Sequence, residues 1–224
     1  MDSIISFLLL QKDEMMQIVC LSLFVSGLAT ILGSMIAIPL GTWLGMTGFP
    51  GKKVVMRLVY TLMALPPVLA GLIVYLLLSR SGPMGTLELL FTPAAMITAQ
   101  FLLVTPIVTG LVAATVAGKE RQVYDQARSL GASRGQVMIT IVKESRTGII
   151  AGLMTGFGRA FAEVGAVMLV GGNILHQTRV LTTSIVMETR QGNYELAIML
   201  GIILLVISFI VSSVVLANDE MTLS

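Results

Sequence analysis

Residues 124–136 read YDQARSLGASRGQ, a polar segment with two glycines that lies between long apolar runs. No Asp, Glu, Lys or Arg occurs in residues 15–51, 58–79, 89–118 or 196–218. A helix that crosses the hydrocarbon core of a membrane needs about 20 apolar residues, and each of these runs is long enough. The polar segment is therefore expected to be a connection between membrane-crossing helices.

The composition of the whole chain agrees with a membrane protein. Charged residues make up 12% of the 224, against about 25% in soluble domains, and the mean hydropathy is +0.92. A fifth apolar run, 147–172, is interrupted only by Arg159 and Glu163. We predict an all-α integral membrane protein, a single transmembrane domain over 1–224. Its five helices are expected at about 15–47, 54–79, 89–117, 147–172 and 195–218, with a connecting loop at 119–146.

Several classes of function are disfavoured. The formal net charge of +2 is too small to indicate a nucleic-acid partner, and the single cysteine, Cys20, allows no internal disulfide. No glycine-rich phosphate loop of the form GxxxxGK[ST] is present, so the chain is not expected to hydrolyse ATP by that route. His176 is the only histidine, and we predict no catalytic residue, no metal site and no cofactor bound by this chain.

The distribution of basic residues predicts the orientation. Lys and Arg accumulate in cytoplasmic loops. Nine of them lie in the links 48–57 and 119–146, and four lie in the opposite set of links and tails. We therefore expect the N-terminus outside the cell, the 119–146 loop inside, and the C-terminus inside.

The 119–146 loop is predicted to form a bent elbow of two short helices. Val123, Ala127 and Leu130 follow i, i+4, i+7 spacing and give the first helix one apolar face. Gly131 suits the left-handed conformation that often ends a helix. An elbow with an apolar ridge could dock in a groove on another protein, and a simple solvated loop is the alternative.

The second limb of the elbow has its own start signal. Ser133 and Gln136 form an S-x-x-Q capping box, in which each side chain bonds the backbone N–H of the other residue. Val137 and Ile141 continue an apolar face from there. The pattern predicts a helix that begins directly after Ser133.

Arg159 and Glu163 are the charged residues inside the fourth apolar run. Their i, i+4 spacing predicts an ion pair on one face of a helix. A charged residue at mid-membrane costs about 2.5–3.5 kcal/mol on insertion scales, so the pair is expected to face protein or water. Small residues at i, i+4 spacing on the same face predict a close helix contact: Gly148, Gly152 and Gly156. Either the pair fixes helix packing, or it lies at a gate along an anion path.

The elbow resembles a known motif. Asp125-Gln126-Ala127, three residues, Gly131, nine residues and Ile141 are similar to the EAA loop of ATP-binding-cassette (ABC) importer permeases, with Asp in place of Glu and Gln in place of the first Ala. In that family the loop is the coupling helix, which sits in a cleft of the ATPase subunit. The resemblance implies coupling roles for the matching residues and their neighbours: Asp125, Ala127, Leu130, Gly131, Ser133 and Ile141.

Two later segments extend the resemblance. GFGRAFAEVGAVMLVGGNI, residues 156–174, and RVLTTSIVMETRQGNYELA, residues 179–197, resemble permeases for sulfate, molybdate and tungstate, most nearly the tungstate branch. This implies the type I importer permease fold and a multi-pass protein of the prokaryotic plasma membrane. It also implies a homodimer, two cytoplasmic ATPase subunits that hold ATP and Mg²⁺, and an external oxyanion-binding protein.

Two other functions are weighed against this one. The first is an ion-coupled carrier or channel that uses Glu163 and Arg159, disfavoured by the odd number of spans and the absence of an inverted repeat. The second is a membrane scaffold with no transport role. Among the oxyanions, the residues do not rank tungstate, molybdate and sulfate.

Overall fold

The computed structural model describes residues 12–221, and every regular element in that range is helical, as predicted. A 3-10 turn at Gly85–Leu87 lies between the third and fourth helices. The nine α-helices of the described range are α1 Lys12–Met46, α2 Lys52–Met63, α3 Pro67–Leu78, α4 Pro93–Ser129, α5 Arg134–Glu144, α6 Arg146–Phe161, α7 Gly165–Gly171, α8 Leu181–Gln191 and α9 Tyr194–Met221.

Three helices contain uninterrupted apolar stretches long enough to cross a membrane, at Asp13–Met46, Pro93–Lys119 and Tyr194–Ala217. Two further crossings are bent pairs: α2 and α3 meet at 94°, and α6 and α7 meet at 55°. The described residues therefore provide up to five crossings. The predicted spans 54–79 and 147–172 correspond to these two bent pairs, with breaks at residues 64–66 and 162–164.

The first bend has a simple cause. Pro66 and Pro67 lack the backbone N–H that a continuing helix would use, and Pro67 takes the first position of α3, where that donor is not needed. The second bend, at residues 162–164, contains no proline. Side chains from other helices hold it, as described below.

α4 is longer than predicted. It runs for 37 residues from Pro93 to Ser129, with Pro106 inside it, and so extends about 55 Å at 1.5 Å per residue. The first limb of the elbow is therefore the end of this helix. The apolar span ends at Lys119, close to the predicted 117, but the first short helix predicted for the elbow is not separate from it, because the helix continues through the polar residues.

α1 packs against α4 along a row of small residues at every fourth position: Gly33, Ala37, Gly41 and Gly45. A Cβ added to Gly41 would lie 2.7 Å from the carbonyl oxygen of Thr109 and 2.9 Å from the Cβ of Val112. At Gly45 an added Cβ would lie 2.7 Å from a methyl group of Val116. The two backbones approach so closely that only glycine fits at these positions.

α9 is the most peripheral helix. Leu205 and Phe209 expose 70% and 73% of their surface, and almost none of the apolar stretch of this helix is buried. An exposed, predominantly apolar helix surface suits contact with lipid. α9 still contacts the rest of the chain through Leu200, which is buried beside Phe157 and Leu181.

We predict that Gly41→Ala destabilises the protein. The added methyl group meets backbone and Val112 atoms that have no room to move, and overpacking of this kind costs about 1–3 kcal/mol. Gly27→Ala is the matched control, because an added Cβ there meets no atom within 4 Å. The measurement is the thermal unfolding midpoint of the detergent-solubilised protein. Equal midpoints for the two variants would contradict the close approach of α1 and α4.

Candidate functional site

The elbow between α4 and α5 is a tight turn at residues 130–133. Gly131 has φ +80°, and its N–H donates to the carbonyl of Arg128 at 3.0 Å. The Ser133 N–H donates to Gln136 Oε1 at 2.8 Å, and the Gln136 N–H donates to Ser133 Oγ at 3.4 Å. The left-handed glycine and the reciprocal capping box are confirmed.

The two limbs of the elbow pack together through their apolar faces. Val123, Val137 and Ile141 are buried in one cluster, and Ala127 packs against that cluster. Leu130 does not join them, because α4 ends at Ser129 and the chain turns there. Leu130 is 88% exposed at the tip, so it is the member of the predicted apolar ridge that faces outward. Asp125 is exposed on the surface of α4.

A cleft lies between the limbs. It has a volume of about 430 Å³, and Leu130 and Ala127 contribute to its wall, with Lys119 and Glu144 among the other lining residues. The elbow thus presents an exposed leucine beside an open, partly apolar cleft. A partner protein can dock against a surface of this shape.

The bend between α6 and α7 surrounds Glu163. α6 ends at Phe161, and the Glu163 N–H donates to the carbonyl of Ala160 at 3.1 Å. The Glu163 side chain is 4% exposed, and its Oε1 accepts the Ala166 N–H at 3.2 Å. Glu163 therefore caps the start of α7, where a negative charge is stabilised by the unpaired N–H groups of the helix.

Two polar side chains hold the bend from neighbouring helices. Gln100 Nε2, on α4, donates to the carbonyl of Ala160 at 2.9 Å. Thr182 Oγ1, on α8, donates to the carbonyl of Glu163 at 2.9 Å. A helix that breaks inside a membrane leaves backbone groups that protein must satisfy, and these two residues do so. Neither residue was predicted as a site residue from the sequence, although a glutamine within the charge-free run 89–118 could have indicated one.

Arg159 and Glu163 do come together, with 3.8 Å between Arg159 Nη2 and Glu163 Oε2. They do not share one regular helix as expected, since Glu163 lies beyond the end of α6 and the pair spans the bend. The Arg159 side chain is 42% exposed while that of Glu163 is buried. The pair therefore presents a cationic group to the surface and keeps its carboxylate inside.

The three glycines of α6 lie against α4. An added Cβ would contact Thr115 at Gly148, would lie 3.3 Å from the Cβ of Leu111 at Gly152, and would lie 2.8 Å from a methyl group of Val108 at Gly156. α1 contacts the same helix, α4, through its own row of small residues. α4 is thus held closely on two sides.

The two bent crossings also meet each other. A Cβ added to Gly71 of α3 would lie 2.6 Å from the Cα of Ala166, and one added to Gly165 would lie 2.8 Å from a methyl group of Val68. The second halves of both bent pairs, α3 and α7, therefore pack together directly.

The comparison with protein families identifies the chain. The model of the family described as "Binding-protein-dependent transport system inner membrane component" matches residues 37–220, most of the chain. The chain belongs to this family. It is a permease component of a binding-protein-dependent transport system, a class whose members work with an ATPase and a binding protein.

Individual permeases support the same assignment. The chain is 41% identical over 220 residues to the tungstate uptake system permease protein TupB of Peptoclostridium acidaminophilum, covering 98% of this chain and 95% of that one. It is 41% identical over 201 residues to a probable anion ABC transporter permease protein of Haloferax volcanii, covering 88% and 87%. It is 37% identical over 161 residues to TupB of Campylobacter jejuni, covering 72% and 67%.

A solved structure shares the fold of this permease. A chain of a bacterial ABC transporter involved in the import of the acidic polysaccharide alginate superposes with a TM-score of 0.71 at 21% identity, over 95% of this chain and 81% of that one. The predicted ABC importer permease fold is confirmed.

We predict that Gly131→Ala loosens the elbow of the permease. The substitution meets no neighbouring atom, so its cost is the left-handed backbone alone, about 1–2 kcal/mol. Gly135→Ala is the control, because that residue is helical, equally open and without a positive φ. Amide hydrogen exchange over residues 124–144 should accelerate about five- to thirtyfold in Gly131→Ala and not in Gly135→Ala. Unchanged exchange in both variants would contradict the left-handed turn.

Proposed function

We propose that the chain is the permease subunit of an ATP-driven tungstate importer. The observation that carries this proposal is the 41% identity, over 98% of the chain, to a permease named for tungstate uptake. A probable molybdenum permease of Haloferax volcanii is less similar, at 32% identity over 66% of the chain. Tungstate is therefore the proposed substrate, and molybdate is the competitor that the test has to separate.

The proposed assembly has two copies of this chain in a prokaryotic plasma membrane. Their interface forms the translocation pathway, two cytoplasmic ABC ATPase subunits hold ATP and Mg²⁺, and an external binding protein delivers the oxyanion. The nine basic residues in the links 48–57 and 119–146 support an inside location for the elbow. Five crossings then put the N-terminus outside and the C-terminus in the cytoplasm.

The elbow is the proposed contact with the ATPase. Leu130 is 88% exposed and lies beside the partly apolar cleft between the limbs, and a ridge next to a cleft is a shape that fits a complementary groove on a partner. Gly131 and the Ser133 cap hold the turn in one geometry. Closure of the ATPase pair on ATP would then displace α4, which carries the elbow at its end.

The helix bend is the proposed gate region. Arg159 is half-exposed and positively charged in an otherwise apolar region, so it attracts an oxyanion, and Glu163 limits how strongly that anion is held. Weak attraction suits a pathway, which must release what it admits. High-affinity capture belongs to the external binding protein in this scheme.

The test is uptake into proteoliposomes that contain the permease, its ATPase and its binding protein. We expect ATP-dependent accumulation of tungstate that persists when the proton gradient is collapsed, with molybdate and sulfate as competitors. Uptake that needs no ATP and follows an imposed proton gradient would instead establish the ion-coupled carrier that uses Glu163 and Arg159. An assembled complex without uptake of any of the three anions would contradict the transport function.

We predict that Glu163→Gln impairs transport without loss of the assembled complex. Glutamine keeps the oxygen that caps α7 but leaves Arg159 without its carboxylate, so the oxyanion is released more slowly. The expected loss of tungstate transport is about two- to fivefold, the range for one partly exposed ion pair. Glu188→Gln, an exposed carboxylate bonded to Asn193, is the control. A parallel loss of assembled complex and of transport in Glu163→Gln would mean that the pair only stabilises helix packing.

A further inference from the structure

Gln100 connects α4, the longest of the described helices, to the helix bend. Its side chain is 3% exposed, and its Nε2 donates to the carbonyl of Ala160, a residue 60 positions later in the chain. Ala160 is adjacent to Arg159 and accepts the Glu163 N–H as well. The amide of Gln100 thus binds the backbone between the two charged residues of the proposed gate region.

The second polar atom of Gln100 is not used in this conformation. Its Oε1 is buried and has no hydrogen-bond partner among the described residues. An unpaired buried acceptor is destabilising, and a methionine of similar length would fill the same space without that cost. What the amide contributes is therefore its Nε2 hydrogen bond to the Ala160 carbonyl, which joins α4 to the bend.

The position of Gln100 on α4 gives the amide a mechanical connection to the elbow. From Gln100 to Ser129 the helix is unbroken for about 44 Å at 1.5 Å per residue, and it passes through Pro106 without ending. The elbow turn begins at the next residue. A displacement of the elbow along this helix reaches Gln100 without crossing a loop.

The other side of the bend is held by a different helix. Thr182 on α8 donates to the carbonyl of Glu163, only three residues after Ala160. The bend therefore lies between a hydrogen bond from α4 and a hydrogen bond from α8. If α4 shifts relative to α8, the short segment 160–163 must change its conformation or lose one of the two bonds.

We propose that Gln100 is a positioning residue that transmits movement of the elbow, through the carbonyl of Ala160, to the bend that carries Arg159 and Glu163. This inference rests on the proposed function, because it assigns the step that links ATP hydrolysis to opening of the pathway. The residue touches neither nucleotide nor oxyanion. Gln100 instead affects how much oxyanion is transported for each ATP hydrolysed.

The first experiment measures tungstate transported per ATP hydrolysed in proteoliposomes with the full complex. Gln100→Met removes both polar atoms at nearly constant length and should lower this ratio at least about fivefold, the effect of one lost buried hydrogen bond, while ATP hydrolysis continues. Thr109→Val is the matched control, since Thr109 is a buried polar residue of α4 whose hydroxyl bonds only the carbonyl of Thr105 on the same helix. An unchanged ratio in Gln100→Met, or equal falls in transport and hydrolysis, would overturn the inference.

The second experiment follows the bend directly and needs no transport. Gly158→Cys places a thiol where an added Cβ meets no atom within 4 Å, in a Cys20→Ser background that removes the native cysteine. We expect its rate of modification by a membrane-impermeant thiol reagent to change when the ATPase is trapped with ATP and vanadate. Gln100→Met should abolish that change and Thr109→Val should keep it. If ATP and vanadate change the modification rate of Gly158→Cys equally with Gln100 and with Gln100→Met, the inference is wrong.

The proposed function and the role of Gln100 can be tested separately. If the wild-type complex shows no ATP-dependent tungstate uptake, the proposed function is wrong. If the wild-type complex transports and Gln100→Met transports with the same ratio, the function stands and the role of Gln100 is wrong.

Discussion

The fold of this permease depends on α4 remaining one continuous helix from Pro93 to Ser129. α1 lies against one side of it through a row of small residues, and α6 lies against another side through Gly148, Gly152 and Gly156. Since lipid is as apolar as the helices, close backbone approach rather than a hydrophobic driving force holds such a bundle together. The same helix leaves the bundle and becomes the first limb of the elbow.

The bend between α6 and α7 is the part of the fold that this packing does not explain. A broken helix in a membrane leaves carbonyl and N–H groups that lipid cannot satisfy. Here the carbonyls of Ala160 and Glu163 accept from Gln100 and Thr182, and the Glu163 carboxylate caps α7. Three polar side chains thus stabilise one irregular segment, next to the half-exposed Arg159. α4 carries the elbow at its end and bonds the bend through Gln100, which is why a transport cycle is expected to act on both.

Much of this arrangement could be predicted from the sequence, and the rest could not for physical reasons. The turn at Gly131 and the Ser133 cap are local signals, because the residues that form each hydrogen bond are three positions apart. The uncharged runs located the crossings because hydropathy is additive along the chain. The bend at residues 162–164 has no proline or local cap before it, and its partners lie 60 and 19 positions away. The i, i+4, i+7 spacing grouped Leu130 with Val123 and Ala127, but α4 ends at Ser129, so Leu130 lies exposed at the tip and does not pack with them.

The most direct test of this account is the length of α4 during the ATPase cycle. Spin labels at the exposed residues Thr98 and Ser129, in complexes with one labelled copy and no native cysteine, should lie about 46 Å apart along a continuous helix. Double electron–electron resonance should give one distance, unchanged between the nucleotide-free and the ATP–vanadate states. A shortened or second distance on ATP binding would show that α4 bends, as it could at Pro106. In that case α4 does not carry a displacement of the elbow to Gln100 as one rigid helix.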